Sequence, residues 1–205
     1  MVVRSWSAGK GRTPDGGRMP DPAGGWKLPK PRAERKAFRG RKGGVGMKEA
    51  ERFRSVMSHF ATGITVVTGA DAEGQVVGLT ANSFTSVSLR PPLILVCLAN
   101  GSRSRDVFLA TSRFAVGILR RGDETLAHRF AGDTRNSRFD DVPFRTEVTG
   151  APVLEPALAW LDCRLWDSVE AGDHTVLFGE VMACGVSGDA DPLVFFQGSY
   201  RTVSP

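Results

Sequence analysis

Gly78-Leu79-Thr80-Ala81-Asn82-Ser83-Phe84-Thr85-Ser86-Val87-Ser88-Leu89-Arg90-Pro91-Pro92 is the stretch on which the reading of this chain turns. It follows an alternating segment and precedes the apolar run Leu93-Ile94-Leu95-Val96-Cys97-Leu98. A sheet-edge crossover between two strands is therefore expected, rich in small hydroxyl residues. Such a segment exposes backbone N–H and C=O groups with little side-chain bulk over them. Globular domains supply partners for polar groups held near the core, so a ligand or ordered water is expected here. An ordinary Ser/Thr-rich loop is the plainer reading, and the neighbouring segments decide against it.

Upstream, Phe53, Val56, Met57 and Phe60 recur at i, i+3, i+4 and i+7, which predicts an amphipathic helix over 48–61 stopped by Gly63. Ile64 to Thr68 reads as a strand, Asp71-Ala72-Glu73-Gly74 as a turn, and Gln75 to Thr80 as the returning arm of a hairpin. Downstream, Pro91-Pro92 leads into Leu93 to Leu98, apolar on both faces and expected to be fully buried. Ser104 or a neighbour caps a short helix through Ala110 with Val107, Phe108 and Leu109 inward, and Phe114 to Leu119 is a strand. Asp123 caps a helix over Glu124 to Ala131 that turns Leu126, Ala127 and Phe130 inward. Three more strands are expected over Ala159 to Val169, Thr175 to Val186 and Leu193 to Phe196. Short strands with few helices between them predict a mainly β, closed or nearly closed antiparallel barrel. No strand–GxGxxG–helix fingerprint is present, so a nicotinamide nucleotide would need another surface.

The charge is unevenly placed. Of 27 Lys+Arg and 22 Asp+Glu, residues 1–46 hold 12 and three, so that segment is net +9 and the remainder net −4. The segment is rich in Gly, Pro, Arg and Lys without an apolar period, and disorder is expected. It reads either as a basic arm for nucleic acid or an anionic surface, or, preferred here, as an extension ahead of the natural start at Met47-Lys48-Glu49-Ala50-Glu51-Arg52-Phe53. A net acidic domain over 47–205 argues against nucleic acid as a partner. No apolar run approaches the roughly 18 residues of a membrane span. Cys97, Cys163 and Cys184 are odd in number and lie in apolar runs. Free buried thiols of a cytoplasmic protein are expected, with no metal site.

Ala61-Thr62-Gly63-Ile64-Thr65-Val66-Val67-Thr68, then Gly78 to Pro92, Phe114-Ala115-Val116, Leu126-Ala127 with Phe130, Gly172-Asp173-His174 and Gly198-Ser199-Tyr200 come in the order found in the flavin reductase family. The chain resembles the short-chain NAD(P)H:flavin oxidoreductases that supply reduced flavin to two-component monooxygenases. The resemblance covers Phe53 to Tyr200. It implies an FMN-binding split β-barrel, Greek-key-like and antiparallel, a homodimer, FMN or FAD, and NADH or NADPH.

By that resemblance Thr80, Ala81, Asn82 and Ser83 line the flavin ring and ribityl chain, mostly through backbone groups, and Ser86 adds a hydroxyl. Asn100, Ser102, Arg103 and Ser104 form the phosphate segment, where helix N-terminal N–H groups favour a dianion, with Arg105 beside them. Asp173 and His174 handle the nicotinamide: His174 orients the dinucleotide and Asp173 fixes the loop. Gly117 and Ala99 stand where the family usually has Asn and a polar residue, which favours a flavin that exchanges as a substrate. Trp160 and Trp166 either shield the ring or belong to the core. His59 and His128 read as helix-face residues without a role. Two further readings share the fold: a tight FMN protein reducing a ferric or quinone-like acceptor, and a non-catalytic flavin binder or sensor. Removing residues 1–46 is expected to leave thermal melting and turnover unchanged; lost solubility or activity would show that the segment serves the domain.

Overall fold

Every residue of the strand Thr65–Ala70 is buried, because its two faces enter two different cores. Val67 joins Val96, Leu98, Phe114 and Leu177 inside the barrel, whereas Val66 joins Leu119, Phe130, Leu154 and Leu193 outside it. A computed structural model describes residues 47–132 and 138–203. The basic segment 1–46, expected to be disordered, lies outside the described residues.

The elements in chain order are α1 (Met47–Met57), β1 (Thr62–Gly63), β2 (Thr65–Ala70), β3 (Val76–Ala81), β4 (Thr85–Leu89), β5 (Pro92–Ala99), α2 (Arg103–Thr111), β6 (Arg113–Ile118) and α3 (Glu124–Ala131). They continue as β7 (Phe144–Thr146), β8 (Pro152–Leu154), β9 (Ala159–Ala171), β10 (His174–Val186), β11 (Val194–Phe196) and β12 (Ser199–Arg201). The main sheet runs β3-β2-β6-β9-β10-β5-β4, with every pairing antiparallel. A three-stranded sheet β1-β11-β12 and a two-stranded sheet β7-β8 flank it. This is the mainly β antiparallel barrel expected from the strand spacing, in the split form that the resemblance implies. At the split, the Ser83 hydroxyl stands in for a strand: its Oγ donates to Cys97 O at 2.8 Å and accepts from Cys97 N at 3.1 Å. Among the described residues no helix is long and apolar enough to cross a membrane.

Several expectations are corrected. The crossover shrinks to 82–84, because Thr85–Leu89 forms edge strand β4 against β5, with a register shift between Ser86 and Ser88. Both faces of this edge are largely exposed, Val87 and Leu89 included, and the bulge blunts it against further pairing. Strand β5 is not fully buried: Ile94, Val96 and Leu98 are inside while Leu93, Leu95 and Cys97 are half-buried, since only one face meets the barrel core. Helix α1 ends at Met57, not 61, and Gly63 lies in β1 opposite Val194. Ser58 Oγ and His59 Nδ1 both bond the Ser55 carbonyl, at 2.7 and 2.9 Å, and so compete with helix continuation. His59 thus sits in the turn after the helix, while His128 lies on α3 and packs edge-on to Tyr200. Cys184 is exposed, not buried, and the three cysteines are free. Strands β1, β7, β8 and β12 are too short to leave a sequence pattern.

Glycine marks one place where the barrel wall is thinnest. A Cβ on Gly179 would stand 2.6 Å from Phe114 Cζ and 3.1 Å from Cys163 Cβ. Gly179→Ala is therefore expected to destabilise the fold by about 1–3 kcal/mol through overpacking, read as a lower urea midpoint at unchanged m-value. An unchanged midpoint would mean the wall relaxes freely.

Candidate active site

Three hydroxyls fix the end of β3 and the bend after it. Thr65 Oγ1 donates to Ala81 O at 2.7 Å, Thr80 Oγ1 to Ala127 O at 2.6 Å, and Ser83 Oγ bridges to Cys97 as described. The side chains of Thr80 and Ser83 are thereby committed to the protein, and Thr80, Ala81, Asn82 and Ser83 line one part of a cleft of about 480 Å³. Cys97 to Ala99 of β5, Phe130 of α3, Arg138 and His174 complete that cleft. Burial raises the Cys97 thiol above its ordinary value, so it faces the cleft as a neutral group.

The β9–β10 hairpin carries His174 to the cleft. Its two-residue turn uses Gly172 at φ +68°, the positive value such a turn needs at its first position. Asn100 clamps this tip: its N–H donates to Asp173 O at 3.0 Å, its Nδ2 to Gly172 O at 3.3 Å, and its Oδ1 accepts from Thr175 Oγ1 at 2.7 Å. His174 Nδ1 lies 2.7 Å from Asp173 Oδ1. An ionised carboxylate can only accept, so Nδ1 carries the proton and Nε2 is left for a ligand. That hydrogen bond, followed by the imidazole's charge, holds the exposed Asp173 carboxyl below its usual range.

A second cleft, of about 300 Å³, adjoins the first and shares Ser102 and Arg138 with it. Gly101, Ser102, Arg103, Ser104 and Asp106, at the start of α2, form one side, and Gln75 with Val76 to Gly78 of β3 form another. The N-cap Ser102 makes no side-chain bond to the helix, so the first-turn N–H groups keep their donors. A Cβ on Gly78 would meet Phe130 at 2.8 Å and Phe139 at 3.2 Å, which is why this strand position is bare.

The structure thus brings Thr80, Ala81, Asn82, Ser83, Ser102 and His174 to one cleft, and Ser102, Arg103 and Ser104 to its neighbour. Asn100 belongs to the frame, because its amide is consumed by the hairpin tip. Arg105 lines neither cleft; its Nη1 donates to Asn100 O at 2.6 Å. Ser86 sits exposed on β4 opposite Ile94 and away from both clefts, since the strand carries it out along the sheet edge. Gly117 is buried in β6, where a Cβ would stand 3.1 Å from Ala157, so its departure from the family pattern concerns packing. Trp160 stacks under Arg145, whose Cζ is 4.9 Å from the ring, and Trp166 is exposed; neither reaches the clefts. Arg138 and Cys97 were not anticipated. Arg138 follows a polar stretch with no local signal, and Cys97 was assigned to a buried strand.

The pocket fits a flavin on chemical grounds: small residues let the backbone approach a flat ring, and an anion-seeking helix start lies next to it. The sequence pattern of the flavin reductase like domain matches residues 57–204. The chain is 42% identical over 149 residues to a protein called probable flavin reductase from Rhizobium meliloti, covering 73% of this chain and 47% of that one. It therefore spans about half of that relative's length. It is 36% identical over 155 residues to the flavin-dependent monooxygenase reductase subunit HsaB of Mycobacterium tuberculosis, covering 75% and 82% of the two chains. Its fold is similar to that of the Streptomyces globisporus NADH:FAD oxidoreductase SgcE6 solved with NAD and FAD fragments. The TM-score is 0.72 at 36% identity, over 78% of this chain and 96% of that one. Strand order, cleft and kinship converge, and the chain belongs to the flavin reductase family.

Proposed function

We propose that this chain is an NAD(P)H:flavin oxidoreductase that reduces FMN or FAD for a partner monooxygenase. The observation that carries the proposal is a single cleft lined by Thr80–Ser83 and by His174, whose imidazole a carboxylate orients. When bound, the nicotinamide and the flavin supply the hydride chemistry between them, so no protein nucleophile is required. The protein's part is to bind, orient and hold a distance.

In this reading the backbone N–H and C=O groups of Thr80, Ala81, Asn82 and Ser83 meet the polar edge of the ring. Ser102, Arg103 and Ser104 hold the phosphate with the α2 N-terminus. His174 Nε2 accepts a hydrogen bond from an amide donor of the nicotinamide nucleotide, and Asp173 keeps the imidazole in the tautomer that can do so. Asn100 keeps that pair in place. The Asp173–His174 pair favours turnover over mere flavin storage, because a binder has no use for a nucleotide-orienting group at the mouth of its cleft. Three unpaired cysteines support a reducing, cytoplasmic setting.

A homodimer is part of the proposal. Phe53, Val56, Met57 and Phe60 on and just after α1 are 48–69% exposed, an apolar stripe that the described residues leave uncovered. A second copy supplies the cover.

The purified protein is expected to consume NADH or NADPH only when FMN or FAD is added; no flavin-dependent consumption in a clean steady-state assay would remove the enzyme reading. His174→Ala is expected to raise the nucleotide KM roughly five- to tenfold, the loss of about one hydrogen bond, with the flavin KM changed less than twofold. Equal effects on both would contradict the role given to His174. Sedimentation equilibrium is expected to give a dimer that Phe53→Ser with Phe60→Ser shifts toward monomer; a monomeric parent would refute the dimer.

A further inference from the structure

Ser102 and Arg138 are the two residues shared by both clefts. Arg138 Nη1 donates to Gly78 O at 2.6 Å and Nη2 to Gly132 O. Two carbonyls thus aim the guanidinium, but neither compensates its charge. Its Nε is buried without a hydrogen-bond partner, and among the described residues no carboxylate pairs with it. A half-buried cation with a sheltered orphan donor is expensive to hold. An anion at the junction of the clefts would relieve that cost. The opposite wall is the start of α2, whose cap hydroxyl leaves the first-turn donors free and whose dipole also favours negative charge.

Arg103, the residue first expected to supply the charge, is already engaged. Its Nη2 donates to Gln75 Oε1 at 3.0 Å and lies 3.9 Å from Asp71 Oδ2, and its side chain is 54% exposed. Water and Asp71 both weaken its hold on an anion. Arg138 is half-buried and, among the described residues, has no carboxylate partner, although Asp106 lines the same cleft.

We propose that Arg138 is the specificity-determining residue that selects phosphorylated flavins, FMN or FAD, over the bare ring of riboflavin. This rests on the flavin reading above and adds which chemical part of the flavin the site reads. The phosphate would lie where the two clefts meet, with Arg138 on one side and the N–H groups beyond Ser102 on the other. Because Gly78 is pinned by Phe130 and Phe139, the carbonyl that aims Arg138 is itself fixed.

The test is a fluorescence titration of the full chain with riboflavin and with FMN, for the parent, Arg138→Gln and Arg138→Lys. Gln can keep a bond to the Gly78 carbonyl while losing the charge. The parent is expected to bind FMN roughly 10- to 100-fold more tightly than riboflavin, the scale of one charge-assisted contact. Arg138→Gln is expected to remove most of the preference for FMN while leaving riboflavin unchanged, the remainder coming from the start of α2, and Arg138→Lys to keep a larger part of it. A Gln variant that weakens both ligands equally makes Arg138 a strut and overturns the proposal, as does one that weakens neither. A parent that binds both alike overturns it while leaving the flavin site standing; a parent that binds neither removes both. Should Arg138→Gln fail to fold, inorganic phosphate added to the parent is expected to compete with FMN and not with riboflavin. Absence of that competition overturns the proposal equally.

Discussion

The site depends on one hydroxyl at the seam of the barrel. The pairing of β4 with β5 reaches only to Leu95, so on that edge no strand meets the backbone of β5 at Cys97, and Ser83 Oγ serves both its donor and its acceptor. A side chain can do this only if the backbone bends away, and the bend is what opens the cleft. An unmet pair of backbone groups in a half-buried strand would cost several kcal/mol, so the seam must be closed by something. Closing it with a short side chain leaves space that a further strand would have filled.

From that seam the remaining parts follow in order. Thr80 ties the same segment to α3 through the Ala127 carbonyl, and Phe130 from that helix forms part of the cleft wall. Gly78, two residues earlier, is bare because Phe130 and Phe139 occupy the place of a Cβ. The aromatic contact between those rings, edge to face at 5.0 Å, steadies both clefts from behind. Flatness and polarity in the cleft thus come from packing decisions made in the core next to it.

Much of this was legible in the chain. The β2–β3 hairpin, helix α3 with Ala127 and Phe130 inward, and the long β9–β10 pair have periods long enough to read. The backbone-lined wall at Thr80–Ser83 followed from residue size, and its meaning came from resemblance. What stayed hidden has physical causes. Thr85–Leu89 looks like a loop because edge strands are polar and short. Leu93 to Leu98 looks buried on both faces because a sequence does not show which face lacks a neighbour. Phe53 to Phe60 shows a helix period but not that its apolar stripe stays exposed among the described residues. Arg138 was invisible because its role comes from carbonyls at Gly78 and Gly132, set by tertiary contact alone.

Asn100 carries the last consequence. It terminates β5, adjoins the first turn of α2 and grips the tip of the opposite hairpin with backbone and side chain together. The gap between the imidazole of His174 and the floor of the cleft is consequently gauged by the polypeptide before any guest arrives. For the flavin and nicotinamide proposed to meet here, a spacer of this kind would set a separation that neither has to find.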